Sequence, residues 1–317
     1  MRLLLLLLLL TACNAPSTST FSDTRMCIGY KVIIGEALTA SQTERVQAII
    51  DETFDNIDNT FNEWNPASEV SRFNATHSDQ PLSPQLKSFL DTIDKIVTLT
   101  KGRFDPTAEP LVKLWKDKLS QNELPTEDEL EKIKEAIGWQ RIHYSEETLS
   151  KEHPKTALTF GGIAKGLLVD NLTENLQKAG FKNLYVEWGG EIRTLGQHPQ
   201  KRPWRILITR LGTPESAVDT LELNNQAVAT SGSYYQSWSI NDITYTHIID
   251  TETLHPLPVT PTRPRSVTVV ADSCTLADAL ATSAMMFEDI TQARAWAQEI
   301  EETFPNTQFW LFAKDLL

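Results

Sequence analysis

Cysteine is scarce in this sequence: three in 317 residues, Cys13, Cys27 and Cys274, with no Cys-x-x-Cys pair. That rules out a dense disulfide framework, and the six histidines show no paired spacing that would suggest a zinc site. Cys27 and Cys274 read best as two separate, buried thiols, although spacing alone leaves a pair open. Positive charge is also short, with 29 Lys+Arg against 42 Asp+Glu and a formal net charge of −13. Such a surface repels phosphate backbones, so no nucleic-acid partner is expected. Long apolar runs are missing, since the one uninterrupted stretch, Leu3–Leu10, is far below the roughly 20 residues that span a bilayer. Also absent are the GxSxG elbow of serine hydrolases, the GK[ST] ending of a P-loop and the GxGxxG dinucleotide fingerprint. A hydrophobic content of 40% nevertheless excludes general disorder.

The N-terminus has the order of an export signal. Met1-Arg2 is a short basic end, Leu3–Leu10 an apolar stretch, and Leu10-Thr-Ala-Cys13 a small-residue cleavage site closing on cysteine. This predicts a signal peptide over 1–12. The site is similar to a bacterial lipobox, in which Cys13 becomes a lipidated N-terminus that holds the protein on a membrane through its acyl chains (palmitate among them), or it is an ordinary signal peptide with an incidental cysteine. Residues 13–24 then read as the lipidated Cys and a flexible Ser/Thr-rich tether, and 25–317 as one folded domain.

Met26–Ile34 reads as a strand. Ser41-Gln-Thr-Glu44 fits a capping box ahead of Val46, Ile49, Ile50, Phe54, Ile57 and Phe61 at helical spacing. Ser83-Pro84 opens a second helix, Thr126-Glu-Asp-Glu129 caps a third, and a fourth runs from about Ile163 to Ala179 with Gly180 as its stop. Short strands follow at 184–188, 204–209, 227–230, 245–249 and 266–271, then helices at about 275–287 and 290–301 and a strand at 309–312. Helices gather early and strands late, without βαβ alternation. The class is therefore α+β, with mixed or antiparallel sheets flanked by helices.

Several segments could carry chemistry. Gly161-Gly162-Ile-Ala-Lys165-Gly166 opens a helix after an apolar segment, which offers backbone N–H groups and a lysine to an anion, or serves as a tight structural turn. Asp278 and Thr282 lie one turn apart on an otherwise apolar helix. They form an oxygen-only pair suited to a hard cation such as Mg2+, or a solvated Asp beside a Thr bonded to its own helix. His247 lies in an alternating strand and shares a face with Ile249, as a base or as a hydrogen-bonded structural residue. Trp64 could stack on a base or belong to the core. Gly189-Gly190-Glu191 and Thr230-Ser231-Gly232 sit at strand ends where a ligand can approach the backbone.

Together and in order, the segments resemble the ApbE family of FAD:protein FMN transferases. The resemblance runs through Met26 and Tyr30, Phe61-Asn-Glu-Trp-Asn-Pro-Ala-Ser-Glu-Val-Ser-Arg-Phe-Asn74, Gly102-Arg-Phe-Asp-Pro-Thr107, Gly161-Gly-Ile-Ala-Lys-Gly166 and Val186-Glu-Trp-Gly-Gly190. It continues through Ala229-Thr-Ser-Gly232, His247-Ile-Ile-Asp250 and Ser266-Val-Thr-Val-Val-Ala-Asp-Ser-Cys-Thr-Leu-Ala-Asp-Ala-Leu-Ala-Thr282. The family cleaves the FAD pyrophosphate with Mg2+, moves FMN onto a Thr or Ser hydroxyl of a target protein and releases AMP. The acceptor would be a respiratory or electron-transfer flavoprotein subunit carrying an Asp-x-x-[Ser/Thr]-Gly-[Ala/Ser]-Thr-like segment. By position, the resemblance gives Mg2+ to Asp278, Thr282 and the Gly162 carbonyl. It gives FAD to Met26, Trp64, Arg103, Phe104, Asp105, Thr159, Lys165, His247 and Ile248. His247 is the expected base, with Asp278 as the other catalytic candidate. Hydrolysis of FAD to FMN and AMP, or FAD binding without turnover, are the alternatives. The implied location is a bacterial inner membrane, on its periplasmic side. Departures from the family pattern are Thr159-Phe160 for the usual Asp-Leu, Met26-Cys27-Ile28 for Met-Gly-Thr, Thr251-Glu-Thr-Leu254 for Pro-Arg-Thr-Gly, and the bulky Trp188 before Gly-Gly.

Overall fold

The computed structural model describes residues 18–210, 213–233 and 237–313; Cys13, the leader and the start of the tether lie outside them. A hairpin of β1 (Ser19–Arg25) and β2 (Ile28–Ile34) leads into α1 (Ala40–Phe61), α2 (Glu69–Ala75), β3 (Gln80–Pro81) and α3 (Pro84–Leu99). Next come α4 (Glu109–Ser120), α5 (Glu127–Lys134), the short strands β4 (Ile142–Tyr144) and β5 (Thr148–Lys151), and α6 (Ala164–Lys178). Two hairpins follow, β6 (Leu184–Trp188) with β7 (Glu191–Leu195) and β8 (Trp204–Arg210) with β9 (Thr213–Leu223), and then β10 (Ala227–Gly232). The chain closes with β11 (Ser237–Ile240), β12 (Ile243–Asp250), β13 (His255–Pro258), β14 (Ser266–Ala271), α7 (Cys274–Met285), α8 (Ile290–Thr303) and β15 (Gln308–Phe312).

One antiparallel sheet organises these elements, in the order β1-β2-β6-β7-β10-β14-β15. Its strands come from both ends of the chain, so the α+β expectation holds and the protein folds around a shared sheet. Helices α1, α6 and α7 pack with it, burying Phe54, Ile57, Leu168, Leu172, Val186 and Leu280. Strand β14 is buried along its whole length, which is why Val-Thr-Val-Val reads as a nearly continuous apolar run.

Several boundaries differ from the sequence reading; the strand read as Met26–Ile34 starts at Ile28, and two differences lie further toward the N-terminus and at α1. The tether does not extend to residue 24, because Ser19–Arg25 pairs residue by residue with Ile28–Ile34. This edge strand is largely exposed, so it has no apolar alternation to reveal it; its stability comes from the ladder to β2. The capping box of α1 is Thr39 with Gln42, whose side chains and backbone N–H groups bond reciprocally, and not Ser41 with Glu44. Helices α2 and α4, and the sheet of β3, β5 and β4, are additions that the pattern did not separate from loop.

Turn geometry bears on two of the departures. Gly189 (φ +63) and Gly190 (φ +100) make the tight β6–β7 turn, which needs two left-handed residues. Met26 (φ +49) and Cys27 (φ +61) occupy the matching β1–β2 turn without glycine. Leu254 likewise holds φ +62, a conformation that costs a non-glycine residue roughly 1 kcal/mol. Burial against Leu111 and Trp115 offsets this, and the Trp115 indole N–H donates to its carbonyl at 2.8 Å. Cys27 is exposed and Cys274 buried, both unpaired, so only the second fits the inert-thiol expectation.

Candidate functional site

A cavity of about 910 Å3 opens between the N-terminal end of α6, one face of α7 and the segments that precede α4. Its centre is built by the crossing of α6 and α7. At Gly166 a Cβ would come within 2.4 Å of the Cys274 carbonyl oxygen, so the two backbones touch where no side chain fits. Asp170, one turn further along α6, accepts hydrogen bonds from the Cys274 and Thr275 N–H groups and the Thr275 hydroxyl at 2.7–2.9 Å, and pairs with Arg193. This clamp fixes the start of α7 and therefore the position of Asp278. Gly166→Ala should destabilise the fold by roughly 1–3 kcal/mol through overpacking, read as a lower midpoint in urea. An unchanged midpoint would mean that the helices can separate freely.

Asp278 is buried, and its Oδ2 accepts the Gly166 N–H at 3.1 Å. The α6 N-terminus has no side-chain cap, so this carboxylate meets its positive end. Thr282 does not bond to its own helix. Its hydroxyl lies 3.1 Å from Ser231 Oγ and 3.5 Å from the Gly162 carbonyl, whereas Ser283 next to it does bond back to Ala279. The oxygens of Asp278, Thr282, Ser231 and Gly162 thus line one wall of the cavity.

Lys165 reaches Glu191, the first residue of β7, at 2.5 Å. Glu191 is 1% exposed and its Oε2 has no hydrogen-bond partner. Burial pushes its carboxyl up to about 8; Lys165 opposes this and Asp278 adds to it. Burial likewise raises Asp278, against Lys165 and the Gly166 N–H. Desolvation pulls Lys165 down, but the two carboxylates outweigh it and its ammonium is held more tightly than usual. Two buried carboxyls share one lysine, so ionising both would leave an excess negative charge beside an oxygen-only wall. Hard oxygen donors and uncompensated charge fit a cation such as Mg2+. Among the described residues no group of three His, Cys, Asp or Glu is placed to hold a metal, so the set would rely on a hydroxyl and a carbonyl.

One arm of the cavity runs toward α4 and β12. Trp64 stands at its mouth, 77% exposed, with the Lys116 ammonium 5.1 Å from its ring centre, so it is not a core residue. Arg103 lies over Phe287 at 4.3 Å, and Phe104 is buried beside it. Asp105 caps the short turn Pro106–Ala108 through Thr107. Thr159 donates to Glu63 Oε1 at 2.8 Å, and both line the cavity, so a carboxylate stands beside the position where the family usually carries Asp. His247 and Ile248 line the same arm. The strict alternation expected for β12 fails because its register shifts between Tyr245 and Ile249, burying both Ile248 and Ile249. Met26 is not among the lining residues; it sits in the β1–β2 turn, where its sulfur is 3.8 Å from Asn62 Nδ2.

Glu109, at the first turn of α4, also lines this arm. Burial pushes its carboxyl up to about 7, with Glu63 adding and Lys116 and Lys113 opposing. Its native pKa lies above the ordinary value, so wild-type stability is intact at low pH and declines as pH rises through about 7. Glu109→Gln should match wild type near pH 4.5 and exceed it at pH 8 by on the order of 1–2 kcal/mol, after allowing for solvent screening. Equal melting temperatures at both pH values would exclude this penalty. Glu109 was not legible as a site residue, and Glu191 only as the end of a strand-end segment open to a ligand, because a lone Glu in an acidic sequence carries no signal until burial is known.

A cleft with a charged centre and mixed arms on a helix-covered antiparallel sheet defines an enzyme site for a large polar substrate. The model of the ApbE family matches residues 24–305, and the chain belongs to that family. A FAD:protein FMN transferase of Chlamydia pneumoniae is 40% identical over 301 residues, covering 94% of this chain and 93% of its own length. One from Vibrio cholerae is 33% identical over 301 residues, covering 93% and 89%. The solved flavin transferase ApbE from Vibrio cholerae matches with a TM-score of 0.78 at 30% identity, covering 94% of each chain. The ApbE protein from Thermotoga maritima, at 23% identity and a TM-score of 0.81, shares the fold.

Proposed function

We propose that this enzyme transfers FMN from FAD to a Ser or Thr hydroxyl of an acceptor flavoprotein and releases AMP, with Mg2+ at the cleft centre. The observation that supports this best is Lys165, paired with Glu191 and held charged by Asp278 as well, lining the same cavity as the oxygen wall of Asp278, Thr282 and Gly162. Lys165 would hold the pyrophosphate, and the Gly161-Gly162 segment lets it approach the backbone. Asp278, Thr282 and the Gly162 carbonyl would hold Mg2+, which withdraws charge from the phosphoryl group that is transferred. Trp64, Arg103, Phe104 and Asp105 would orient FAD along the first arm.

The acceptor hydroxyl displaces AMP at the flavin-side phosphorus, so one P–O bond forms as the pyrophosphate P–O bond breaks. His247 would take the proton of that hydroxyl, a role worth about 10²-fold or more in rate. The same proposal places the enzyme on the periplasmic side of a bacterial inner membrane, anchored through Cys13. Its support is the order of basic end, apolar stretch and small residues before that cysteine.

The test is to incubate the protein with FAD and Mg2+, with and without a peptide carrying Asp-x-x-Thr-Gly-Ala-Thr, and to follow AMP and peptide mass. AMP with an FMN-sized gain on the peptide is expected, and His247→Gln should slow that gain by about 10²-fold. AMP and free FMN regardless of peptide would make the enzyme a hydrolase. FAD binding with neither product would leave only a flavin-binding protein.

A further inference from the structure

The cavity has a second arm that the FAD reading leaves unused. It runs from the Lys165 centre past the Gly189-Gly190 turn onto the face of the large sheet turned away from α6 and α7, toward the hairpin β8–β9, and is lined by Tyr185, Glu187, Ile192 and Val228 on the sheet side. On the hairpin side it is lined by Arg205, Ile206, Leu207 and Ile208. Successive residues of a strand point to opposite faces. Four consecutive residues can face one cavity only if the cavity meets the strand edge-on. The edge in question is open, because among the described residues β8 pairs with β9 and with no other strand. In an antiparallel pair every second residue turns its N–H and C=O away from the partner. A row of main-chain donors and acceptors therefore borders this arm.

The hairpin is held rigidly enough to serve as a template. Ile208, Leu221 and Leu223 pack onto Ile192, Val228 and Val270 of the sheet, and Arg205 is tied to Glu222 at 2.7–2.9 Å. The polar side chains of this arm already have partners, since Arg205 is paired with Glu222 and Glu187 accepts the Tyr185 hydroxyl at 2.6 Å. Leu207, by contrast, is 58% exposed, a large apolar side chain bare at the edge. Polar side chains already partnered, a bare aliphatic side chain and unpaired backbone groups suit an extended polypeptide better than a phosphate or a sugar.

We propose that the acceptor protein docks here, its Ser/Thr-bearing segment adding as a strand to the open edge of β8 and thereby delivering the hydroxyl to the Lys165–Asp278 centre. This rests on the transferase reading above, because it is that reaction which requires a polypeptide to reach the centre. Main-chain pairing would provide the hold, while Leu207 and the Tyr185–Glu187 pair would meet alternate side chains of the guest. The groove gives the enzyme a reason to accept a short segment in several contexts, since backbone pairing is indifferent to most side chains.

The test is amide hydrogen exchange on the full chain, with the same acceptor peptide as probe. With FAD and Mg2+ present, the peptide should slow exchange in 205–208 at least tenfold, and FAD with Mg2+ alone should not. Leu207→Asp should raise the acceptor KM at least tenfold, the loss falling on KM rather than on kcat, and its exchange pattern without peptide shows whether it is folded. Protection of 205–208 by FAD alone would assign this arm to the donor and overturn the proposal. FMN transfer to the peptide without protection and with an unchanged KM in Leu207→Asp would overturn it as well. If wild type puts no FMN on the peptide, the transferase reading fails, and the docking site falls with it.

Discussion

Asp278→Ala is expected to lower FMN transfer by about three orders of magnitude while leaving a folded protein. The carboxylate is the one formal charge on the oxygen wall that contains Thr282 and the Gly162 carbonyl, so its removal leaves only neutral donors for a divalent cation. It also receives the Gly166 N–H, so part of the loss could come from a shifted α6 terminus. Asp278→Asn separates these contributions. It retains the acceptor and the volume and removes only the charge, so it should be almost as inactive as the alanine variant. Without metal it should melt no lower than wild type near pH 8, because it relieves repulsion with Glu191. Transfer within tenfold of wild type in Asp278→Asn, at saturating Mg2+, would remove the metal assignment.

Lys165→Met is expected to show the largest loss of stability. It leaves Glu191 and Asp278 buried together without a cation, and stranding a buried charge costs about 3–5 kcal/mol. The deficit should depend on pH. Both carboxyls already sit above their ordinary values in the folded protein, Glu191 at about 8, and losing the lysine removes the opposing influence. Stability is therefore retained below the unfolded carboxylate pKa and lost as pH climbs through the folded values, so the variant should approach wild type near pH 4.5 and fall behind toward pH 8. Glu191→Gln in the Lys165→Met background should restore much of the stability at pH 8 without restoring transfer, because the cation that would hold the pyrophosphate is still missing. Additive effects of the two substitutions would show that Lys165 and Glu191 do not act as a pair.

The parts of this molecule legible in the sequence were those governed by local rules. Ser83 with Pro84 and Thr126 with Glu129 start helices by capping chemistry that needs only neighbouring residues, and both were placed correctly. Ser266–Ala271 is legible to the residue because a strand buried on both faces reads as a nearly continuous apolar run. Strand β1 was missed because an exposed edge leaves no apolar period, and the bulge in β12 because a register shift is a property of two strands. Asp278 and Thr282 were readable as a pair since one helix turn separates them.

The sequence by itself therefore determined the α+β class, most helix starts, and a helix presenting Asp278 above Thr282. What only the tertiary structure decided is the environment of those groups. Burial, the approach of α6 to α7 at Gly166 and the reach of Lys165 to Glu191 depend on residues far apart in the chain. The electrostatics of the centre arise from desolvation and from charges brought together by folding, and neither has a signature in local spacing. The same holds for the open edge of β8, which exists only because no other described strand comes to pair with it.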